Sequence, residues 1–272
     1  MADATLRIDI KVHCNMLTLK RNSVSALQNQ VLRDFSEELV GDLMAADPML
    51  ERNLGVDSIR EAVHLGIRSG QRYAIDERSP LKAYIQIMFH LGSHFDEDPL
   101  LPWAKMALVT PCRNGRQAYR INALRDSFLE YVEQTCGHEG EHISGFLRQL
   151  QTLNDPQDAP VDATQTLAFV DAHFASMTAY VGRNVIWSMM HETADLCRKL
   201  RLFAPSSVFI LVCMRLSFGY GVTNDPLFPW LRMVLQNPAP ALDKEHLLWQ
   251  ACQEHLANLP LQPLKQELHN GG

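Results

Sequence analysis

The sequence predicts an all-α protein built as two similar helical bundles, and three observations lead to this fold class. Apolar residues recur at four-residue spacing in several long segments, as they do on one face of an α-helix. Proline and glycine fall where such segments begin and end. When the chain is aligned with itself so that Trp103 stands on Trp230, its rarest residue types coincide, which favours an internal duplication. We call this register the repeat alignment.

The chain begins with a segment, residues 6–20, in which apolar and polar side chains at first alternate. This pattern predicts a short strand or an extended arm, and we assign residues 1–23 to an N-terminal arm. The first helical pattern follows over residues 25–46, with one apolar stripe. Its members are Leu27, Val31, Phe35, Leu39 and Leu43. Such a stripe is stable only when it packs against another surface.

Two further helices are predicted before the repeated motif begins. Asp57 has the character of an N-cap and predicts the start of the second helix. Ser79 and Pro80 predict the start of the third, because proline fits the first helical turn, where its missing N–H costs nothing. This third helix, over residues 81–91, is apolar around most of its girth. We therefore expect it to lie at the centre of its half.

A motif of glycine, aspartate, proline and tryptophan follows this helix and recurs in the second part of the chain. The first copy contains Gly92, Asp98, Pro99, Pro102 and Trp103, and the second contains Gly219, Asp225, Pro226, Pro229 and Trp230. We expect each glycine to end a helix and each aspartate to cap backbone N–H groups. The later proline opens the next helix, whose tryptophan faces inward as an anchor. The motif therefore predicts a structural role.

The order of these patterns divides the chain into two halves. Helices are predicted over residues 117–136 and 145–153, and a stretch rich in aspartate and proline follows. Further helices are predicted over residues 161–181, 190–201, 208–218 and 242–259. We assign residues 24–153 to the first helical half, 154–163 to a linker and 164–272 to the second half, a duplicate of the first.

Composition and charge restrict the classes of function. The formal net charge is −6, from 31 acidic and 25 basic side chains, so the field of the protein repels phosphate backbones and nucleic acid is not an expected partner. No apolar run reaches the roughly 18 residues of a membrane span, and no signal peptide is predicted. Six cysteines without a CxxC pair suit a reducing compartment. We expect a cytoplasmic protein.

One string matches a catalytic pattern. His138, Glu139 and His142 satisfy HExxH, in which two imidazoles on one helix face bind zinc and the glutamate acts as general base. Arg148 stands where the longer metzincin pattern has a third histidine, and Gly140 weakens the helix that the site needs. We expect a solvated helix start here, with a zinc metallopeptidase as the alternative.

The acidic residues of the first motif are a second candidate metal site. Asp96, Glu97 and Asp98 offer oxygen ligands of the kind that Ca²⁺ prefers. In the second copy Thr223 and Asn224 replace the first two, and only the aspartate before the proline is kept. This exchange favours a structural role over a metal-binding one.

The string GSHFDEDPLLPWA at residues 92–104, preceded by RSGQRYAI at residues 68–75, resembles a group of uncharacterised helical bacterial proteins. That group carries a duplicated F-D-x-D-P-x-x-P-W type motif and is encoded in type VI secretion effector gene clusters. The resemblance covers residues 24–108, with Ala74 standing where the group has a glycine. It implies a structural motif in a secretion context.

This context implies two non-enzymatic roles. The first is an accessory chaperone or adaptor that binds a type VI secretion effector, and the second is an immunity protein that neutralises a co-encoded toxin. A duplicated scaffold can offer a long groove between its halves, which favours the adaptor. We therefore expect another protein, a secreted effector or toxin, as partner, and no cofactor. Zinc belongs only to the peptidase alternative, and the oligomeric state stays open.

Overall fold

The computed structural model describes residues 21–111, 117–259 and 261. Within these ranges the chain consists of helices and loops and contains no strand. The predicted all-α fold class is thereby confirmed. The strand or arm expected over residues 6–20 lies outside the described residues, and residues 21–23 of the predicted arm open the first helix.

Thirteen α-helices follow one another along the described ranges. The first seven are α1 (Arg21–Ala46), α2 (Met49–Leu54), α3 (Val56–Arg72), α4 (Arg78–Leu91), α5 (Pro102–Val109), α6 (Gln117–Cys136) and α7 (Glu141–Thr152). The remaining six are α8 (Ala163–His173), α9 (Ala175–Val181), α10 (Arg183–Lys199), α11 (Pro205–Phe218), α12 (Pro229–Gln236) and α13 (Ala241–Ala257). Short 3₁₀ turns lie at Phe95–Glu97, Pro156–Asp158 and Val222–Asn224.

Some helix starts follow the predicted chemistry and others do not. α10 begins at Arg183, before the predicted residue 190, and the helix predicted over residues 161–181 is divided into α8 and α9 at Phe174. α5 and α12 begin on Pro102 and Pro229, as predicted. α3 begins at Val56, one residue before the predicted cap, and the side chain of Asp57 caps nothing. Gly55, with φ of 75°, both ends α2 and precedes α3. A glycine with positive φ thus sets this boundary in place of an aspartate cap.

Four elements recur with unchanged length in the repeat alignment. α3 corresponds to α10, α4 to α11, α5 to α12, and the 3₁₀ turn Phe95–Glu97 to the turn Val222–Asn224. The local backbone therefore follows the recurrence seen in the sequence. A common origin of the two halves remains a prediction.

Two strained backbone positions also coincide in the repeat alignment. Ala74 and Arg201, with φ of 52° and 61°, are the non-glycine residues with positive φ in the described part of the chain. Each follows α3 or α10, and the amide of the next residue donates to the carbonyl five residues back, at 3.0 Å and 2.9 Å. This hydrogen bond is typical of a helix end with a left-handed residue. Ala74 and Arg201 thus both adopt a conformation that favours glycine.

The buried apolar side chains form one continuous core that includes both motif-bearing regions. Its centre contains α4 and α11, where Tyr84, Met88, Phe209 and Met214 have no exposed surface. α6 packs against α4, α5 and α9, while α7 packs against α13. The two predicted bundles therefore share a core, and the boundaries assigned to them remain a prediction. No helix of the described part is long and apolar enough to cross a membrane.

Candidate functional site

The two copies of the repeated motif meet where α4 and α11 end. Gly92 and Gly219 follow these helices with positive φ of 95° and 98°. Their backbones approach closely, since a Cβ on Gly219 would lie 2.4 Å from the carbonyl oxygen of Leu91, and one on Gly92 would lie 2.9 Å from that of Phe218. Both the backbone angle and the close approach therefore require glycine.

We call the region where the two motif copies meet the junction. The side chains of the motif aspartates form hydrogen bonds across it in both directions. Asp225 accepts hydrogen bonds from the backbone nitrogen and the hydroxyl of Ser93, both at 2.6 Å. Asp98 accepts from the backbone nitrogen of Tyr220 at 2.9 Å. Each aspartate also accepts from the amide two residues further on, at 2.9 Å and 2.8 Å. The predicted capping thus occurs, and each carboxylate also binds the other copy.

The motif prolines shape the turns that carry these carboxylates. Pro99 and Pro226 directly follow the two aspartates, whose backbones are extended with ψ of 121° and 130°. An extended conformation is favoured for the residue before a proline, so each carboxylate is held in place for the crossing contact. Pro102 and Pro229 then begin the next helices.

The motif tryptophans are half-buried anchors. The Trp103 ring lies 5.7 Å from that of Tyr131 on α6, and the Trp230 ring lies 4.9 Å from that of His255 on α13. Both indole nitrogens are buried, and no described group accepts a hydrogen bond from them. Each tryptophan thus faces inward as predicted, while part of its ring remains at the surface.

An inner cavity of about 370 Å³ lies beside the junction, with mostly apolar walls from α4, α6, α9 and α11. Its charged lining groups are Asp98 and Arg215. Burial raises the pKa of Asp98 from 3.8 to about 6, because desolvation outweighs the effect of its amide donors. The Arg215 guanidinium donates to the Thr193 hydroxyl at 2.9 Å and lies 4.4 Å from the centre of the Tyr220 ring. Burial lowers the pKa of this guanidinium.

Sequence reasoning missed Arg215, which is only 6% exposed. The sequence does single out Arg215, because it is the one charged residue in the apolar helix α11 and is aligned with the apolar Met88 in the repeat alignment. The thiol of Cys136 also lines the cavity, and burial raises its pKa, which disfavours the nucleophilic thiolate. Asp98 and Arg215 are thus two buried charged groups on the wall of the cavity beside the junction.

The HEGEH segment does not lie on one helix. His138 and Glu139 occupy a turn between Gly137 and Gly140, whose φ values are 89° and 73°, whereas His142 belongs to α7. The two imidazoles thus lack the shared helix face that the zinc site of this motif needs. Among residues 21–111, 117–259 and 261, no three His, Cys, Asp or Glu side chains are grouped so that they could hold a metal ion.

The acidic residues of the first motif have separate partners. Asp96 is buried and forms an ion pair with Arg72 at 2.9 Å, and Glu97 pairs with the same guanidinium at 2.6 Å. Asp98 binds the second copy instead. The three carboxylates therefore stabilise the fold through different contacts and do not converge as Ca²⁺ ligands would.

An open apolar groove of about 310 Å³ lies on the outer surface of the second half, between α8, α10 and α11. We call it the Phe203 groove and define it by Val161, Thr166, Ala194, Phe203 and Val208. The side chain of Phe203 is 68% exposed. Its backbone is fixed, since the amides of Phe203 and Ala204 both donate to the carboxylate of Glu245. The groove therefore combines apolar walls with an exposed aromatic ring on a fixed backbone.

The chain matches no protein-family model, no curated protein and no solved structure. The resemblance to helical proteins of type VI secretion gene clusters remains an expectation.

Proposed function

We propose that the chain is a non-enzymatic protein-binding protein, an accessory chaperone or adaptor for a type VI secretion effector. The observation that carries this proposal is the Phe203 groove, an apolar surface with a ring 68% exposed on a fixed backbone. Exposed apolar patches of this kind mark sites of protein association.

The junction supports the same role. Reciprocal hydrogen bonds from Asp98 and Asp225 hold the two motif copies together, and one core runs through both halves. A body held in this way loses little conformational entropy when it binds, because its binding surface is already ordered. An adaptor that retains an effector in the cytoplasm before secretion benefits from that property.

An immunity protein is the second candidate, and the charge of the chain favours it. A formal net charge of −6 attracts a basic toxin over a long range and accelerates association with it. Both roles place the protein in the cytoplasm, where the effector or toxin is made.

A gene deletion in the native host separates these roles. Loss of effector secretion with self-protection unchanged supports the adaptor, whereas loss of self-protection with secretion unchanged supports immunity. Complementation with the wild-type chain is the control. If neither secretion nor protection changes, both proposals fail.

A further inference from the structure

The inner cavity beside the junction contains a buried cation that has few partners in the chain itself. Arg215 lies on the cavity wall and is 6% exposed. The Thr193 hydroxyl accepts the one hydrogen bond that the Arg215 guanidinium donates to a described residue, and no described carboxylate forms an ion pair with it. Its Nε is buried without an acceptor among the described groups. Because a buried charge is costly until it is paired, this guanidinium favours an anionic partner inside the cavity.

The repeat alignment shows that this cation is absent from the first half. Arg215 is aligned with Met88, and its acceptor Thr193 is aligned with Gly66. In the first half the two positions pack directly, since a Cβ on Gly66 would lie 3.0 Å from the Met88 sulfur. α4 and α11 nevertheless have the same length. The helix therefore forms with an apolar side chain at this position, and its fold does not require the charge of Arg215.

The neighbours of Arg215 hold its guanidinium in place. The Thr193 hydroxyl donates to the Met189 carbonyl at 2.7 Å, which leaves its oxygen free to accept from Arg215 at 2.9 Å. The centre of the Tyr220 ring lies 4.4 Å from the Arg215 Cζ, and the Tyr220 hydroxyl donates to the carboxylate of Glu192. A cation fixed in this way binds an anion with little further loss of side-chain entropy.

The remaining walls of the cavity are mostly apolar. Its volume of about 370 Å³ falls within the range of roughly 300 to 1,000 Å³ that is typical of small-molecule sites. The lining includes the exposed His90 and the half-buried Phe128, whose rings lie 5.7 Å apart, so it reaches solvent between α4 and α6. The buried apolar lining is formed by Leu100, Tyr131, Phe174, Met177 and Leu216. The cavity thus fits a molecule with an apolar body and a small charged head group.

The second charged group on the wall, Asp98, limits the charge of such a molecule. Both of its carboxylate oxygens already accept backbone amides, from Leu100 at 2.8 Å and from Tyr220 at 2.9 Å. The chain therefore satisfies this anion, whereas the Nε of Arg215 has no described acceptor. The charge of Asp98 also opposes a head group with two negative charges, such as phosphate, more strongly than a single carboxylate. A monoanion is the head group that suits both residues.

We propose that the inner cavity binds a small monocarboxylate with an apolar chain, a molecule of the fatty-acid class. Its carboxylate accepts hydrogen bonds from the Arg215 guanidinium, and its apolar chain lies against Tyr131, Phe174 and Met177. This inference goes beyond the proposed function, since it assigns a small-molecule ligand to the chain and does not depend on the Phe203 groove.

Isothermal titration calorimetry of the full-length chain with octanoate tests the inference. Octanol and octylamine are the matched probes, because they share the apolar chain and replace the carboxylate with a neutral or a cationic group. Octanoate is expected to bind saturably, with a Kd on the order of 100 μM for a ligand of this size. Octanol and octylamine should bind about tenfold more weakly, since they lack the anion that pairs with Arg215. No saturable binding of octanoate overturns the inference, and so does octanol or octylamine binding as tightly as octanoate.

Arg215→Met removes the cation and copies Met88 of the first half. We expect octanoate to bind this variant about tenfold more weakly, and octanol to bind it as it binds the wild type. Unchanged octanol binding also shows that the variant folds and keeps its cavity. Arg198→Met is the matched control, because the Arg198 side chain is 70% exposed and does not line the cavity. Unchanged octanoate binding by Arg215→Met, or equal losses of octanoate and octanol, overturns the inference.

Val132→Phe tests whether the ligand lies in the cavity, because Val132 lines it from α6 and a larger side chain there reduces its volume. This variant should weaken the binding of octanoate and octanol alike, by about tenfold. Val109→Phe is the matched control, since it makes the same exchange at a side chain that is 58% exposed and outside the cavity. Equal octanoate affinities of the two variants overturn the inference, because octanoate would then bind elsewhere on the chain.

Discussion

The carboxylate of Asp225 lies 2.6 Å from both the backbone nitrogen and the hydroxyl oxygen of Ser93, a residue 132 positions earlier in the chain. Asp98 makes the reciprocal contact with Tyr220 across 122 positions. These contacts close long loops, so they stabilise the arrangement of the two halves in a way that no local cap does. Substitutions that break these buried contacts are therefore expected to destabilise the fold.

Asp225→Asn is expected to lower the free energy of unfolding by about 3 kcal/mol. The carboxylate accepts hydrogen bonds from the buried backbone nitrogen and hydroxyl of Ser93, whereas the side-chain NH₂ of asparagine would place a donor against these donors. Urea denaturation followed by tryptophan fluorescence measures this loss. Asp57→Asn is the control, since the Asp57 side chain is fully exposed, and it should change stability by less than about 0.5 kcal/mol. Equal midpoints for the two variants would contradict the role given to Asp225.

Gly219→Ala is expected to cost about 3 kcal/mol or more. The residue has φ of 98°, and a Cβ there would lie 2.4 Å from the Leu91 carbonyl oxygen, so backbone strain and steric overlap add. Gly145→Ala is the matched control inside α7, where a Cβ meets nothing within 4 Å. It should raise stability by about 1 kcal/mol through helix propensity. Thermal unfolding of both variants tests the pair, and a stabilised Gly219→Ala would refute the close approach.

Arg201→Gly is expected to raise the free energy of unfolding by about 0.5 to 1 kcal/mol. Arg201 holds φ of 61°, a conformation that costs non-glycine residues more than it costs glycine. Arg198→Gly, in the last turn of α10, should instead lower stability by at most about 1 kcal/mol, because glycine has a lower helix propensity than arginine. Chemical denaturation of the two variants should therefore give shifts of opposite sign. Shifts of the same sign would be inconsistent with a strained helix end at Arg201.

His255 is expected to make stability depend on pH. Burial lowers its pKa from 6.5 to about 4, so between these values the unfolded chain binds a proton that the folded chain does not. Its contribution to stability therefore rises with pH through this window, by at most about 1.4 kcal/mol per pH unit. The contribution of Asp98 to stability falls as the pH rises from 3.8 to about 6. In this range its raised pKa lets the folded chain keep a proton that the unfolded chain has released.

Comparison of the wild type with His255→Phe isolates this effect, since phenylalanine keeps an aromatic ring beside Trp230 and removes the titration. Unfolding free energies at pH 4, 5, 6 and 7 should rise less steeply in the variant. Parallel curves for the two proteins would show that His255 titrates normally in the folded state.

Much of the fold follows from local chemistry in the sequence. The starts of α5 and α12 follow from Pro102 and Pro229, and the ends of α4 and α11 follow from Gly92 and Gly219, because these residues act on their own turn. The predicted start of α3 is wrong, since Gly55 forms the turn where the sequence suggests an aspartate cap. Local signals thus predict helices well and their boundaries less well.

The sites depend on contacts that no local pattern contains. The capping role of Asp225 is predictable from the proline after it, but its contact with Ser93 requires two distant turns to meet. The groove is equally hidden, since it forms only where α8, α10 and α11 pack together. An exposed Phe203 has no signature in a single sequence, because exposure is a property of the packed chain.

The most direct measurement is quantitative co-purification of the tagged chain from cells that produce it natively, with wild type, Phe203→Asp and Met233→Asp compared side by side. Met233→Asp is the control, because Met233 is exposed on α12 and does not line the groove. We predict that one secreted effector co-purifies with wild type and with Met233→Asp, and that its recovery falls about tenfold with Phe203→Asp. Equal recovery with all three chains would contradict binding at the Phe203 groove, and recovery of no effector with any of them would contradict the adaptor role itself.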